Sequence, residues 1–137
     1  MSWLLDTNVV SELRKGARGD PGVVRWAAGR QDEAWLSVLT VGEIRRGIEL
    51  LRRRDEAAAR HLDVWLAGLL GAFESRILPV DVRVAEMWGR SNVPDPVPTV
   101  DGLLAATALV HDLTFVTRNV EDIAGTGVRV LNPFEAG

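Results

Sequence analysis

The chain lacks cysteine and tyrosine, and it contains a single lysine, Lys15, among its 137 residues. The absence of cysteine excludes disulfide bonds, a thiolate nucleophile and any zinc site that requires sulfur ligands. It also fits a protein of the reducing cytoplasm, which is the location we expect. Because 15 of the 16 basic residues are arginine, any mechanism that needs a lysine would depend on Lys15.

A net positive charge and long apolar runs are also missing. The 16 basic and 19 acidic side chains give a formal net charge of -3, whereas a purely electrostatic nucleic-acid binder would be basic. The longest apolar run is the ten residues from Val64 to Phe73, which is too short to span a bilayer. The first residues have no basic leader and reach Asp6 early, so a signal peptide is not expected. We therefore expect no membrane partner.

Short apolar segments alternate with amphipathic segments along the chain. The apolar segments predict five buried strands, at residues 3–5, 35–38, 77–80, 114–117 and 128–131. Helices are predicted at residues 9–14, after the Asp20–Pro21 pair and from Thr40 to about Leu51. Three more are predicted around residues 62–73, after Asp81 and at 101–110. In the helix after Asp81, we expect Val84, Ala85 and Trp88 to face inward. The alternation predicts one three-layer α/β domain over residues 1–137, with a mostly parallel sheet of about five short strands.

Polar residues at the carboxyl edge of this sheet are the candidates for a functional site, because open parallel sheets bind ligands there. Four acids and one amide lie at element boundaries near that edge: Asp6, Glu43, Asp101, Asn119 and Asp122. Two carboxylates about 4 Å apart repel each other by roughly 4 kcal/mol at an effective dielectric constant near 20. No lysine lies among them, so a divalent cation is the simplest remedy. Oxygen ligands favour Mg²⁺ or Mn²⁺ over zinc, and such ions promote phosphoryl-transfer chemistry.

Each of these residues also has an explanation that involves no ligand. The alternatives are a cap or Asx-turn at Asp6, a capping box of Thr40 with Glu43, a cap at Thr99 with Asp101 as a favourable helix charge, and a cap at Asn119 followed by Asp122. The capping box does not explain Gly42, because glycine in a first helical turn is unfavourable. We expect Gly42 to leave room for something that approaches the backbone.

Four segments resemble the motifs of PIN-domain proteins, in order and over the whole chain. They are Leu4–Asn8, Ser37–Gly47, Asp101–Ala108 and Thr117–Asp122. Each motif is weak alone, but together they are specific. Small single-domain members of this kind are similar to the VapC-like toxins of bacterial type II toxin–antitoxin modules. The resemblance implies an endoribonuclease that cleaves RNA phosphodiester bonds with Mg²⁺ or Mn²⁺ and is held inactive by a cognate antitoxin protein.

The resemblance also assigns residues to the site. Residue by residue, it implies that the metal-binding and catalytic acids are Asp6, Glu43, Asp101 and Asp122. The fourth position is less clean, because Asn119 stands at the strand end where some members carry an acid. Support of these acids or contact with substrate is expected from Thr7, Asn8, Thr117, Arg118 and Asn119. Further candidates for phosphate contact are Arg45 and Arg46, although solvated helix charge explains them equally well.

The resemblance implies a cognate antitoxin, and it makes a homodimer and a toxin–antitoxin hetero-oligomer plausible. Trp26 and Trp65 lie on amphipathic segments and are expected to line a groove for an amphipathic antitoxin helix. The run Pro94–Pro98 differs from the family pattern in being longer and stiffer. We expect it to form an exposed loop that shapes access of the substrate.

Other functions remain open from the sequence. The main alternative is a non-catalytic PIN-like binding module that acts through an antitoxin or an RNA partner; a related one makes DNA the main partner through the antitoxin. A histidine ribonuclease needs a positioned acid–base pair, and only His61 and His111 are present. A phospho-receiver domain needs a lysine late in the sheet, whereas Lys15 comes early. Nucleotide binding is disfavoured because no glycine-rich phosphate loop occurs.

Overall fold

Apolar segments form strands and amphipathic segments form helices, as the sequence pattern predicts. The structure is a computed structural model that describes residues 1–135, so the last two residues of the predicted domain lie outside the described residues. The strands are β1 (Trp3–Leu5), β2 (Ala34–Ser37), β3 (Ile77–Leu78), β4 (Thr114–Val116) and β5 (Val130–Leu131). The α-helices are α1 (Thr7–Arg14), α2 (Pro21–Ala27), α3 (Val38–Arg52), α4 (Glu56–Ala72), α5 (Val82–Ser91) and α6 (Thr99–His111).

All pairings in the sheet are parallel, and the strand order is β3-β2-β1-β4-β5. In chain order, β2 and β3 extend the sheet on one side of β1, and β4 and β5 then extend it on the other side. The topological switch point therefore lies between β1 and β4, where Leu5 pairs with Val116. Ligands of open parallel sheets bind outside the carboxyl ends of the strands at such a point.

Side chains alternate between the two faces of each strand, and this alternation divides the apolar core in two. Trp3, Leu5 and Val116 face one side and pack with residues of α1 to α4. Leu4 and Phe115 face the other side and pack mainly with α6. The sheet is therefore covered on both faces, and the predicted three-layer arrangement is confirmed. Within residues 1–135, no helix is long and apolar enough to cross a membrane.

Several predicted boundaries are wrong. Val38 begins α3 instead of ending β2, and Ser37 caps that helix by accepting a hydrogen bond from the Leu39 amide at 3.0 Å. The predicted cap at Thr40 is therefore wrong, and Thr40 is buried inside the helix. Two other predicted caps are wrong, because Pro98 rather than Thr99 is the N-cap of α6 and Val120 rather than Asn119 is the N-cap of the 3-10 helix Glu121–Thr126. Ala85, predicted to face inward from α5, is exposed to solvent.

The segment after β5 folds back onto the start of α2. The backbone amide of Glu135 donates to Asp20 Oδ1 at 3.0 Å, the same oxygen that caps α2, and Phe134 is buried in the core beside the sheet. Gly22 makes this close approach possible, because a Cβ at that position would lie 2.3 Å from the Pro133 carbonyl oxygen. The end of the described chain is thereby fixed near the carboxyl edge of the sheet.

Replacement of Gly22 by alanine should destabilise the fold by about 1–3 kcal/mol, because the new methyl group collides with backbone rather than with a movable side chain. Gly68→Ala is the matched control. Gly68 lies inside α4 with open space around it, so that substitution should stabilise by about 0.5–1 kcal/mol. Urea unfolding of both variants measures the difference. Equal effects of the two substitutions would show that the C-terminal segment does not press on Gly22.

Candidate active site

Asp6 lies at the switch point, directly after β1, and only 3% of its surface is exposed to solvent. Its backbone amide continues the sheet by donating to the Val116 carbonyl at 2.9 Å. Its carboxylate caps α1, since Oδ1 accepts from the Thr7 amide at 2.7 Å. The predicted capping role of Asp6 is therefore correct, but it accounts only for Oδ1. The other carboxylate oxygen, Oδ2, points towards β4.

Threonine and asparagine side chains hold this second oxygen in place. Thr117, the first residue after β4, donates its hydroxyl to Asp6 Oδ2 at 2.6 Å. Asn8 donates to the same oxygen at 3.3 Å and accepts from the Arg118 amide at 3.3 Å. The Thr117 hydroxyl also accepts from the Asn119 amide at 2.9 Å. The side chains of the first and fourth motifs thus form one hydrogen-bonded unit across the switch point.

Glu43 joins this unit from the second turn of α3. The Thr7 hydroxyl donates to Glu43 Oε1 at 2.6 Å. Since α3 begins at Val38, Glu43 lies too far along the helix to cap it, and the predicted capping box does not form. Glu43 is exposed, and its glycine neighbour Gly42 has open space where a Cβ would lie.

Asp101 approaches from the first turn of α6 and lies close enough to the other acids to interact with them. Burial raises the pKa of Asp101, and the negative charges of Asp6, Asp122 and Glu43 raise it further. The Asn119 side chain acts in the opposite direction as a hydrogen-bond partner of the carboxylate. The structure therefore brings all four predicted acids, together with Asn119, into one electrostatic neighbourhood.

The pKa of Asp6 is also raised, mainly because burial disfavours its charged form, with a smaller contribution from Glu43. The hydrogen bonds from Thr117, Thr7 and Asn8 lower it but do not cancel the effect of burial. Neither Asp6 nor Asp101 has an ion-pair partner among residues 1–135. The lone lysine, Lys15, pairs instead with Glu12 at 2.7 Å.

The chemistry of the donor set fits a divalent cation. No Lys or Arg side chain within residues 1–135 forms an ion pair with Asp6 or Asp101. Burial raises the pKa of both carboxyl groups, so their charged forms are disfavoured unless a cation is bound. In the part of the chain that the structure describes, however, no group of three or more His, Asp or Glu side chains is arranged to hold a metal ion. The acids are gathered, but they do not form a closed coordination shell.

Arg118, Arg45 and His111, which the sequence analysis considers as functional candidates, lie in different surroundings. The Arg118 guanidinium lies 4.1 Å from the centre of the Phe134 ring, and Phe134 is a contact that the sequence motifs do not indicate. Arg45 bonds Glu49 at 3.2 Å and Asp63 at 2.8 Å, which supports the surface-charge explanation for Arg45. His111 lies beside Ser2, at the opposite edge of the sheet from the acids.

The Pro94–Pro98 loop is tied down at both ends. Asn92, just after α5, accepts from the Val97 amide at 2.9 Å and donates to the Trp88 carbonyl at 3.0 Å. Val97 in turn packs so closely on Gly102 that a Cβ there would lie 2.7 Å from its side chain. The loop is exposed, as predicted, and it braces the helix turn that carries Asp101.

The parallel α/β sheet, with carboxylates at its switch point, establishes the structural class of this protein. Comparison with known proteins establishes its family. The sequence matches the family described as PIN domain over residues 3–124. Toxin FitB of Neisseria gonorrhoeae is 33% identical, over 96% of this chain and 97% of that protein. The VapC ribonuclease Y4jK of Sinorhizobium fredii is also 33% identical, over 96% and 97%. The crystal structure of FitAcB from Neisseria gonorrhoeae superposes with a TM-score of 0.87 at 33% identity, over 96% of this chain and 97% of that chain. The chain belongs to the PIN-domain family.

The raised pKa of Asp101 has a consequence for stability. The carboxyl group of Asp101 ionises more easily in the unfolded chain than in the folded one. Its ionisation therefore lowers the free energy of unfolding once the pH exceeds the usual pKa range of aspartate. Asp101→Asn should therefore unfold at higher urea concentration than wild type at about pH 7 in EDTA. The difference should disappear near pH 3, where the carboxyl group is protonated in both states.

Asp95→Asn, in the exposed proline-rich loop, serves as the control and should leave the stability unchanged at both pH values. If Asp101→Asn were less stable than wild type at about pH 7, the electrostatic account of this site would be wrong.

Proposed function

We propose that this chain is a Mg²⁺- or Mn²⁺-dependent endoribonuclease and the toxin of a type II toxin–antitoxin module. The observation that carries the proposal is the gathering of four carboxylates at the switch point of a parallel sheet, where none of them forms an ion pair with a residue that the structure describes. Two relatives at 33% identity over nearly the full chain support it, since they are named a VapC ribonuclease and a toxin. The proposal places the protein in the cytoplasm, with a cognate antitoxin and RNA as partners. It includes assembly as a homodimer or a toxin–antitoxin hetero-oligomer.

Asp6 and Asp101 are the residues that would hold the metal, with Glu43 and Asp122 completing or sharing the site. Glu43 and Asp122 are exposed, so both carboxylates are accessible to an ion bound at Asp6 and Asp101. Asn119 is the alternative to Asp122 as the fourth ligand. When bound, the ion supplies an activated water and stabilises the charge that develops on the phosphate during cleavage.

The other residues of the site position these acids. Thr117 and the Thr7 amide each hold one oxygen of Asp6, which fixes the orientation of the carboxylate. The Thr7 hydroxyl holds Glu43 towards the same centre. Because the donors are backbone or short side chains at strand ends, little conformational freedom is left to lose when a ligand binds.

Arg118 is the best-placed arginine for contact with an RNA phosphate. Its backbone is bonded to Asn8 within the site, and its guanidinium rests on the Phe134 ring without a carboxylate partner among residues 1–135. A guanidinium held in this way keeps its donors available for a phosphate. Arg46 is exposed on α3 and is a second candidate.

Substitution of Asp6 or Asp101 by asparagine should lower cleavage of single-stranded RNA by at least about 100-fold, because each removes a charge that holds the ion. The measurement is cleavage of defined RNAs by purified protein with Mg²⁺, Mn²⁺ or excess EDTA. Glu74→Gln, at an exposed position just after α4, should cleave like wild type, and circular dichroism should show an intact fold for all variants.

Full activity of both site variants, or undiminished cleavage by wild type in excess EDTA, would refute the metal mechanism. Failure of wild type to cleave any RNA with either metal would favour the alternative, a non-catalytic PIN-like module that binds an antitoxin or RNA.

A further inference from the structure

Arg118 and Phe134 form the closest arginine–aromatic contact within residues 1–135. The guanidinium carbon lies 4.1 Å from the centre of the Phe134 ring, and the next closest pair, Arg76 with Phe73, is separated by 4.7 Å. The Arg76 guanidinium also donates to three backbone carbonyls, which fix it as part of the fold. The Arg118 guanidinium makes no hydrogen bond or ion pair with any residue in the described range. The Phe134 ring is therefore the contact that orients it.

The backbone of Arg118 is already fixed inside the acidic site. Arg118 follows Thr117, whose hydroxyl donates to Asp6 Oδ2 at 2.6 Å, and its own amide donates to Asn8 Oδ1 at 3.3 Å. Its side chain is exposed. A long exposed side chain loses rotamer freedom when it binds a ligand, and this loss weakens binding. A contact that restricts the side chain beforehand reduces the loss.

The Phe134 ring is a rigid support for such a contact. Phe134 is only 7% exposed and packs into the core on the side of the sheet that α1 to α4 cover. Its amide donates to Asn132 Oδ1 at 2.9 Å, and the amide of Glu135 donates to Asp20 Oδ1 at 3.0 Å. The chain is thus held on both sides of the ring, and the ring cannot easily move away from Arg118.

We propose that Phe134 is a positioning residue for RNA binding, which holds the Arg118 guanidinium ready for a phosphate of the RNA. A guanidinium that lies over an aromatic ring keeps the N–H donors at its rim available for phosphate oxygens. The ring itself does not contact RNA in this arrangement, because Arg118 and the core cover it. The inference rests on the proposed function, in which Arg118 contacts an RNA phosphate. It adds that the segment after β5 completes the substrate-binding site.

Shielding of the ring from water is the competing explanation. Arginine side chains cover apolar surface while their charge stays in water, and a contact of that kind needs no ligand. The location of Arg118 favours positioning, because its backbone is bonded to Asn8 and follows Thr117, and both of those side chains hold Asp6. Shielding predicts that loss of the ring changes stability alone. Positioning predicts that the ring affects RNA binding, and only through Arg118.

A double-mutant cycle separates the two explanations. Binding of a short labelled single-stranded RNA is measured by fluorescence anisotropy in EDTA over a series of salt concentrations. Arg118→Gln should weaken binding about tenfold and lower the salt slope by about 0.7, the value for one lost phosphate contact. Phe134→Leu should weaken binding about threefold to tenfold, because Arg118 must then be ordered on binding. In the Arg118→Gln background, Phe134→Leu should have no further effect on RNA affinity.

Matched variants control for lost packing and lost charge. Phe115→Leu makes the same substitution in the core on the other face of the sheet, so it should lower thermal stability and leave RNA affinity unchanged. Arg90→Gln removes the same charge from α5, where Arg90 pairs with Glu86, and should bind RNA like wild type. Phe134→Tyr keeps an aromatic ring and should retain the wild-type affinity.

Arg118→Lys tests the pair without altering the core. It keeps the positive charge but loses the planar group that rests on the ring, so binding should weaken about threefold at an unchanged salt slope. Thermal unfolding shows which variants are folded. If Phe134→Leu does not fold, Arg118→Lys and Phe134→Tyr decide the outcome.

The proposal is overturned if Phe134→Leu or Arg118→Lys binds RNA like wild type, or if Phe134→Leu weakens binding equally in the Arg118→Gln background. A wild-type protein that binds no RNA would overturn it as well. Cleavage assays separate these results from the proposed function. A wild type that cleaves no RNA but shows the coupling would refute the nuclease and keep the positioning role, whereas an active nuclease without the coupling would refute the positioning role alone.

Discussion

A buried carboxylate at the end of the central strand is the constraint on which the site depends. Asp6 must accept hydrogen bonds from α1 and from the residue after β4, because a buried charge without partners would be costly. Those bonds join the two strands on either side of the switch point and fix the start of α1. The same burial raises the pKa of Asp6, so the charged form of this carboxyl group is disfavoured until a cation is bound nearby. The proposed metal ion follows from this imbalance.

Most of the fold could be predicted from the sequence, because apolar strands and amphipathic helices alternate with clear periods. The errors lie where two local preferences compete. Ser37 and Thr40 are both good helix caps, and the apolar pair Val38–Leu39 between them continues the strand pattern, so the sequence does not tell which one begins α3. The structure resolves the competition because Ser37 ends β2 with its side chain on the Leu39 amide. Ala85 faces solvent although its helix neighbour Val84 is fully buried, since one helical step turns it away from α6.

The candidate acids could be predicted because parallel topology brings strand ends and helix starts to one edge. The aromatic residues that contact the arginines could not be predicted in this way. Phe134 meets Arg118 only because the chain folds back over Gly22, and Trp65 meets Arg14 only because α4 packs beside α1. These pairs join residues 16 and 51 positions apart and depend on tertiary packing rather than on local pattern. The sequence shows these positions only as tryptophans on amphipathic segments, and the groove for an antitoxin helix that they indicate stays a prediction.

A crystal structure of the protein grown with Mn²⁺, with an anomalous difference map at the manganese edge, tests the central claim most directly. The account predicts a peak bound by the carboxylates of Asp6 and Asp101, with the Glu43 side chain turned towards it. The same map would show whether Asp122 or Asn119 completes the ligands. A map without a peak at this edge of the sheet at saturating Mn²⁺, or with manganese bound only elsewhere, would contradict the account.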